Sequence, residues 1–208
     1  DILLPTIVNM DGFIISHAVE SLQILADSDV SDFIGEYQPE TLLLDPENPI
    51  TVGPLDLQDF YFEHKRQQSE AMENVQDVVL KVAKEYKSLT GREYGFFENY
   101  KLDDAEIAII ALGSTAGTAK EAVDQLREQG VKAGLLKLRV FRPFPSDKLV
   151  EALKDLDVLA VMDRADTFST TGGPVFADIR SAFYDAKVDV EVVNYIYGLG
   201  GRDTRVND

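Results

Sequence analysis

Few residues of this chain could carry chemistry by themselves. Its 208 residues include no Cys and only two His, His17 and His64. The chain therefore offers no thiolate nucleophile, no disulfide and no Cys-ligated iron–sulfur cluster. A Ser-His-Asp triad would have to use one of those two His, and the pattern of a calcium loop is absent. No metal site is expected on this chain. Attention falls instead on short turns that follow apolar runs. Gly113-Ser114-Thr115-Ala116-Gly117-Thr118 lies between a strand pattern and a helical one. Small residues there permit a tight turn and expose helix N–H groups, which can receive an anion. The run is neither G-x-G-x-x-G nor a P-loop, and Lys137-Leu138-Arg139 stands where a ribose-binding acid would end the second strand. The competing reading is a plain strand-to-helix turn capped by Ser114 or Thr115.

Three further constellations stand out. Lys137, Arg139 and Arg142 form a basic cluster beside Pro143 and Pro145. It suits either a phosphate or carboxylate partners in an interface or within the fold. Asp163-Arg164 follows an apolar run directly, and Gly200-Gly201-Arg202-Asp203 follows another. Both would lie at the carboxyl ends of strands, the edge at which open α/β sheets bind ligands, with Arg164 and Arg202 as neighbours. The alternative for Asp163-Arg164 is a local ion pair that organises the loop before Gly172-Gly173. Near the start, Asp11-Gly12-Phe13 precedes His17. Gly12 suggests positive φ or a close approach. His17 is either a general base or a hydrogen-bonded structural residue. His64 is read as solvent- or interface-facing. Gly113, Ser114, Arg164 and Arg202 are the candidate cofactor contacts; Asp11, Gly12, Phe13, His17, Arg139, Arg142 and Asp163 are motif or structural residues; no catalytic residue is assigned.

The elements that must position these residues follow from periodicity. Residues 2–8 read as a buried strand and 16–25 as a short helix capped by Ser16. Residues 35–56 hold Pro39, Pro46, Pro49 and Pro54 and read as an irregular connection. From 57 to 89, apolar residues recur at three- and four-residue steps, which predicts a long helix ending at Gly91. Residues 91–104 read as a connector. Beyond them strands are predicted at 105–112, 131–140, 158–162 and 188–197. Helices are predicted at 115–129, at 146–153 with Ser146 as N-cap, and from Gly172-Gly173-Pro174 to about 184. That alternation predicts an α/β fold with a doubly wound parallel sheet. The division is 1–56, 57–104 and 105–208.

Composition narrows the function classes. Acids number 37 and bases 20, for a net charge of −17. Nucleic-acid binding is not expected, because phosphate contacts need clustered Lys and Arg, and an anionic membrane surface is disfavoured for the same reason. Hydrophobic residues make up 45% and charged residues 27%, which is the balance of a packed globular chain. The first 64 residues hold 13 acids and no Lys or Arg. That surface is either a solvated face or one facing a basic partner. With no visible signal peptide or spanning run, a cytoplasmic location is expected. The chain opens with Asp1 and an immediate apolar run, as expected of a piece of a longer polypeptide cut in or before a strand.

The motifs together resemble one family. Leu4-Pro5-Thr6-Ile7-Val8-Asn9-Met10-Asp11-Gly12-Phe13-Ile14-Ile15-Ser16-His17 is similar to the strand and D-G-F-x-x-S-H motif of the pyruvate:ferredoxin oxidoreductase alpha subunit. Leu44-Asp45-Pro46-Glu47-Asn48-Pro49 and Gln67-Gln68-Ser69-Glu70-Ala71-Met72 resemble segments that follow in that family. Ala111 to Thr118, Phe141-Arg142-Pro143-Phe144-Pro145, Met162-Asp163-Arg164 and Tyr197 to Asp203 resemble its second domain, and the match runs in order along the whole chain.

The resemblance implies a 2-oxoacid joined to thiamine diphosphate, decarboxylated, and oxidised by single-electron transfer through iron–sulfur clusters to ferredoxin. The acyl group goes to coenzyme A, or the reaction runs in reverse. Residues 1–56 would be the tail of a pyrimidine-binding thiamine domain, followed by the long helix and connector. Residues 105–208 would resemble the transketolase C-terminal domain. The family's activating glutamate and its substrate-gripping Thr and Arg would precede residue 1. The chain alone is then expected to be inactive and to hold no cofactor itself. Thiamine diphosphate, Mg, iron–sulfur clusters and coenzyme A would belong to the complex. The beta, gamma and delta subunits, ferredoxin and the chain's own N-terminal domain would be its partners. A branched-chain 2-oxoacid version, and a non-catalytic transketolase-C-like module that docks partners or an anionic ligand, stand as alternatives.

Overall fold

In the computed structural model, residues 2–168 and 171–208 are described. They fall into two packed units. Val19–Glu93, with the short stretch up to Thr6, forms the first; Ile7–Ala18 with Tyr94–Asp208 forms the second.

The first unit is mostly irregular. Residues 2–8 are not a strand, and the apolar run stays open, with Leu3 84% exposed. Pro5 lacks a donor, and among the described residues no neighbouring strand offers a ladder, so apolar character alone does not make an element. The expected helix at 16–25 is also absent. A single turn, α1 (Ile14–His17), belongs to the second unit, and the first unit's helices begin with α2 (Asp27–Ile34). Ser16 does not cap; its hydroxyl is bonded to its neighbour His17 at 2.7 Å. The sequence signals for α2 are Asp27 and Asp29 in the first turn, favoured by the helix dipole, and Gly35 with φ 71° at its end.

Residues 35–56 are free of helix and strand, as the prolines require. Asp45 organises one turn there by accepting from the Glu47 N–H at 2.9 Å and the Asn48 amide at 3.0 Å. The long helix α3 spans Tyr61–Thr90, about 45 Å at 1.5 Å per residue. Its half-buried stripe runs Met72, Val75, Val79, Ala83, Tyr86, Thr90, at steps of three and four. Phe33 of α2 meets Tyr86 edge-on at 6.0 Å. Gly91, with φ 73°, ends the helix by donating to the Lys87 carbonyl at 2.8 Å.

The second unit is built on a five-stranded sheet. Its strands are β1 (Phe97–Tyr100), β2 (Ile107–Leu112), β3 (Ala133–Leu138), β4 (Val158–Asp163) and β5 (Glu191–Ile196), in the order β1-β3-β2-β4-β5. β2 to β5 run parallel; β1 is antiparallel to β3, Phe97 facing Leu138 and Tyr100 facing Leu135. The expected all-parallel sheet thus gains an antiparallel edge from the supposed connector, where Phe96, Phe97 and Tyr100 are the aromatic residues that strands favour.

The intervening helices are α4 (Thr115–Glu128), α5 (Ser146–Leu153) and α6 (Pro174–Ala186). Strand alternation explains their placement, because successive side chains point to opposite faces. Ile110, Leu136, Leu138, Leu159 and Val161 face one way and pack with Leu149 and Leu153 of α5 and with Ile179 and Phe183 of α6. Ala111, Ala133 and Leu135 face the other way, onto Ala116, Ala119 and Val123 of α4. Helices therefore cover both faces, and the sheet is doubly wound. From β2 the chain steps to β3 on one side, then crosses to β4 on the other. The topological switch lies between the carboxyl ends of β2 and β4. Ser146 is the first residue of α5 rather than its cap, a position that Pro145 fills. Among the described residues, no helix is long and apolar enough to cross a membrane.

Candidate functional site

At the switch point β2 ends on Gly113, whose φ is +65°, and Ser114 opens α4. A Cβ at Gly113 would lie 2.7 Å from Oδ2 of Asp11, so only glycine leaves room for that carboxylate. Asp11 comes from the other end of the sequence. It accepts the Ser114 backbone N–H at 2.6 Å. The expected anion position at the start of α4 is therefore filled by a carboxylate of this chain. The Ser114 hydroxyl and backbone N–H hold the Asp11 carboxyl below the usual carboxylate range; burial opposes this, and Arg164 and Lys137 add to it. Ser114 caps α4 with no side-chain bond to that helix.

Arg164 follows β4 directly. Its Nη1 lies 3.8 Å from Oδ1 of Asp11, and its side chain crosses Gly198, where a Cβ would meet Nε at 2.9 Å. Arg202 is exposed, and its N–H closes a turn onto the Leu199 carbonyl at 3.3 Å. The described partner of the Arg164 guanidinium is Asp11.

Asp163 has a different task. It is 2% exposed and points to the α6 face. Its oxygens accept the Val175 N–H at 2.9 Å, the Phe176 N–H at 3.1 Å and the Asn194 amide at 3.2 Å. The other end of Asn194 accepts the Gly173 N–H at 3.0 Å. The acid that caps α6 thus comes from β4, and Pro174 stands at the first helical position where its missing N–H costs nothing. The structure pairs Asp163 with a helix terminus, not with its neighbour Arg164. Asn194 carried a sequence signal, as a lone amide within the apolar run Val192-Val193-Asn194. Tyr197 entered the sequence reading only as the start of a family motif; its hydroxyl donates to the buried Thr115 hydroxyl at 2.9 Å and ties the end of β5 to α4.

The basic cluster does not converge on one ligand position. Arg139 pairs with Glu98 at 2.5 Å and lies over the Tyr94 ring at 5.0 Å. Glu98 also pairs with Lys120, whose hydrogen bond is the main reason its carboxyl is held low. Arg142 faces Asp178 at 2.8 Å, donates to the Phe141 carbonyl and covers the Phe141 ring at 4.0 Å. Of the two readings of that cluster, the described contacts are carboxylates within the fold.

The remaining motif residues are open to solvent. Gly12 has no positive φ and nothing near a Cβ position; the left-handed residue is Phe13, with φ 58°. Phe13 stacks on His17 at 5.5 Å, and Ser16 engages Nδ1 of that His. His64, in the first unit, is bonded to Asp56 at 2.7 Å and is exposed.

Chemically, the switch point is an anion receptor made of a helix start, Arg164 and Lys137, with a carboxylate already in it. Holding thiamine diphosphate further needs a divalent cation. Among the described residues no group of three or more His, Asp or Glu is placed to bind one.

The chain is similar to proteins of one family along its whole length. The family described as "Pyruvate flavodoxin/ferredoxin oxidoreductase, thiamine diP-bdg" matches residues 1–84, and "Pyruvate:ferredoxin oxidoreductase core domain II" matches residues 105–208. The pyruvate synthase subunit PorA of Thermotoga maritima is 49% identical over 205 residues, which is 99% of this chain and 52% of that protein. The ketoisovalerate oxidoreductase subunit VorA of Pyrococcus horikoshii is 37% identical over 99% of this chain and 52% of its own length. A solved 2-oxoglutarate:ferredoxin oxidoreductase from Magnetococcus marinus aligns with 74% of this chain and 23% of its own, at 18% identity and a TM-score of 0.49. The chain spans about half the length of the curated relatives it matches. With both family models matched in order along its length, the chain belongs to the pyruvate:ferredoxin oxidoreductase family.

Proposed function

We propose that this chain is part of the alpha subunit of a pyruvate:ferredoxin oxidoreductase. The reaction would be pyruvate, coenzyme A and oxidised ferredoxin to acetyl-CoA, CO2 and reduced ferredoxin, or its reverse. The observation that carries this reading is the 49% identity to a pyruvate synthase subunit across 99% of the chain, against 37% to a ketoisovalerate oxidoreductase subunit. When bound in the whole enzyme, thiamine diphosphate supplies the electron sink for decarboxylation. The residues of this chain organise their own scaffold: Asp163 fixes α6, Asp11 fills the start of α4, and Glu98 ties β1 to the end of β3 and to α4.

The partners are the other subunits of the complex, beta, gamma and delta, together with the rest of the subunit's own chain; ferredoxin takes the electrons. Mg and the iron–sulfur clusters are assigned to those other parts, coenzyme A to the complex, and the location is cytoplasmic. Exposed apolar side chains support a subunit-contacting role. Leu22, Ile24, Leu43 and Leu44 of the first unit are all exposed, and large apolar side chains left open are what a subunit contact would cover. The branched-chain version of the enzyme is the second reading, favoured by the match to the ketoisovalerate subunit along the same 99% of the chain.

The test uses the intact complex, purified anaerobically with the full-length subunit. Viologen reduction is followed with pyruvate, with and without coenzyme A, beside 2-oxoisovalerate and 2-oxoglutarate. Reduction that needs both pyruvate and coenzyme A is the expected result. Preference for 2-oxoisovalerate would move the assignment to the branched-chain enzyme. No reduction by any of the three, from a complex with intact clusters, would end the enzyme reading.

A further inference from the structure

Two divisions of the chain disagree about one segment. By family, residue 11 belongs with residues 1–84, the thiamine-diphosphate-binding part. By packing, Ile7–Ala18 belongs with Tyr94–Asp208, which contains core domain II. The segment buries little apolar surface in that position, its most covered apolar side chain, Ile15, being 44% exposed. From Ile7 to Ala18 every residue is exposed except Asp11; Val8 is 91% and Phe13 81% open. Its backbone hydrogen bonds stay inside the segment, from the His17 N–H to the Phe13 carbonyl and from the Ala18 N–H to the Ile14 carbonyl. Hydrophobic burial therefore contributes little to its hold.

What holds it is one carboxylate. Asp11 takes the Ser114 N–H at 2.6 Å, faces Arg164 at 3.8 Å and occupies the space that Gly113 leaves by having no side chain. A hydrogen bond to a charged acceptor at a helix start is among the stronger polar contacts available to a surface segment. We propose that Asp11 is a clasp, a positioning residue that pins the Asp11-Gly12-Phe13 segment of the thiamine-binding part to the switch point of domain II. Gly113 and Ser114 then serve this internal carboxylate and not a phosphate-bearing cofactor. The proposal rests on membership of the family and is independent of which 2-oxoacid the enzyme uses.

The test uses the full-length subunit in its complex and two readouts that need no substrate. One is hydrogen exchange at the Ser114 amide; the other is the rate of chymotryptic cleavage after Phe13. Asp11→Ala is expected to raise both about tenfold or more, the factor that a charge-assisted hydrogen bond represents. Protection across Ile107–Leu112 is expected to stay as in the wild type. Asp11→Asn, which keeps an acceptor oxygen and loses the charge, is expected to fall between. Gly113→Ala places a methyl where the carboxylate sits and is expected to speed cleavage after Phe13. In the Asp11→Ala background the same change is expected to add nothing. That non-additivity marks a direct contact, which a general loosening of the turn would not produce. Unchanged cleavage in Asp11→Ala, equal effects of Gly113→Ala in both backgrounds, or loss of protection across Ile107–Leu112 in Asp11→Ala would each overturn the clasp. Failure of the viologen assay leaves these readouts unaffected.

Discussion

Replacing Asp163 should unseat the start of α6. The carboxylate is 2% exposed and accepts three donors, the Val175 and Phe176 N–H groups and the Asn194 amide, at 2.9 to 3.2 Å. Asp163→Ala removes every one of those acceptor contacts and leaves the donors in a site sealed by Val175 and Phe176, both buried. Hydrogen bonds to a charged group are each worth roughly 1.5–3 kcal/mol, and a donor left buried without a partner costs about 1–3 kcal/mol. These are two views of one loss. Water reaching the opened helix end recovers part of it, so we expect about 3–5 kcal/mol. Asp163→Asn keeps one acceptor but turns an NH2 toward the remaining donors, and about 2 kcal/mol is expected. The assay is urea-pulse proteolysis of the full-length subunit, with hydrogen exchange read over Pro174–Ala186. The exchange increase should be centred on Val175 and Phe176 and should be smaller for Asn than for Ala. An Asp163→Ala loss below about 1 kcal/mol, or Asn and Ala behaving alike, would refute the view that the acid holds this helix by its paired acceptors.

Three other outcomes follow from the same geometry. Gly173→Ala keeps an ordinary φ of −75°, yet its Cβ would lie 2.2 Å from Cγ of Asp163; it should cost at least about 2 kcal/mol in urea unfolding, and relief by Asp163→Ala would confirm the cause. Tyr197→Phe removes the 2.9 Å bond to Thr115 and should cost about 1 kcal/mol by the same measurement. Glu98 is held below its usual range by Lys120 and Arg139. The stability it contributes is fully present above the ordinary glutamate value of about 4.3 and is lost as pH falls through the depressed one. An acid titration of the unfolding midpoint should therefore be flatter for Glu98→Gln than for wild type, and parallel curves would count against the pairing.

The alternation of strands and helices beyond residue 105 was legible because parallel strands buried on both faces write continuous apolar runs, as in Ile107 to Leu112. Helix ends were legible at Gly91 and at Gly172-Gly173-Pro174, where backbone conformation limits the residues allowed. Sequence also marked Asp163-Arg164 as lying at the carboxyl edge of the sheet and Gly113 as a strand-to-helix turn. The strand expected at 2–8 failed because a strand is stabilised by a neighbour, and no composition supplies one. The edge strand β1 was missed because four residues next to a connector carry too little periodicity.

The partnerships belonged to the tertiary structure alone. Asp11 and Ser114 are 103 positions apart and Asn194 and Asp163 are 31 apart. Local spacing cannot state that one acid closes α4 while another closes α6. That assignment depends on the strand order β1-β3-β2-β4-β5, which brings the ends of β2 and β4 side by side. The sequence suggested a close approach at Gly12, where nothing lies within 4 Å, and the close approaches prove to be at Gly113 and Gly173. Only the packed fold decided that the approaching groups were the two carboxylates of this same chain, because their identity depends on what the sheet places against each turn.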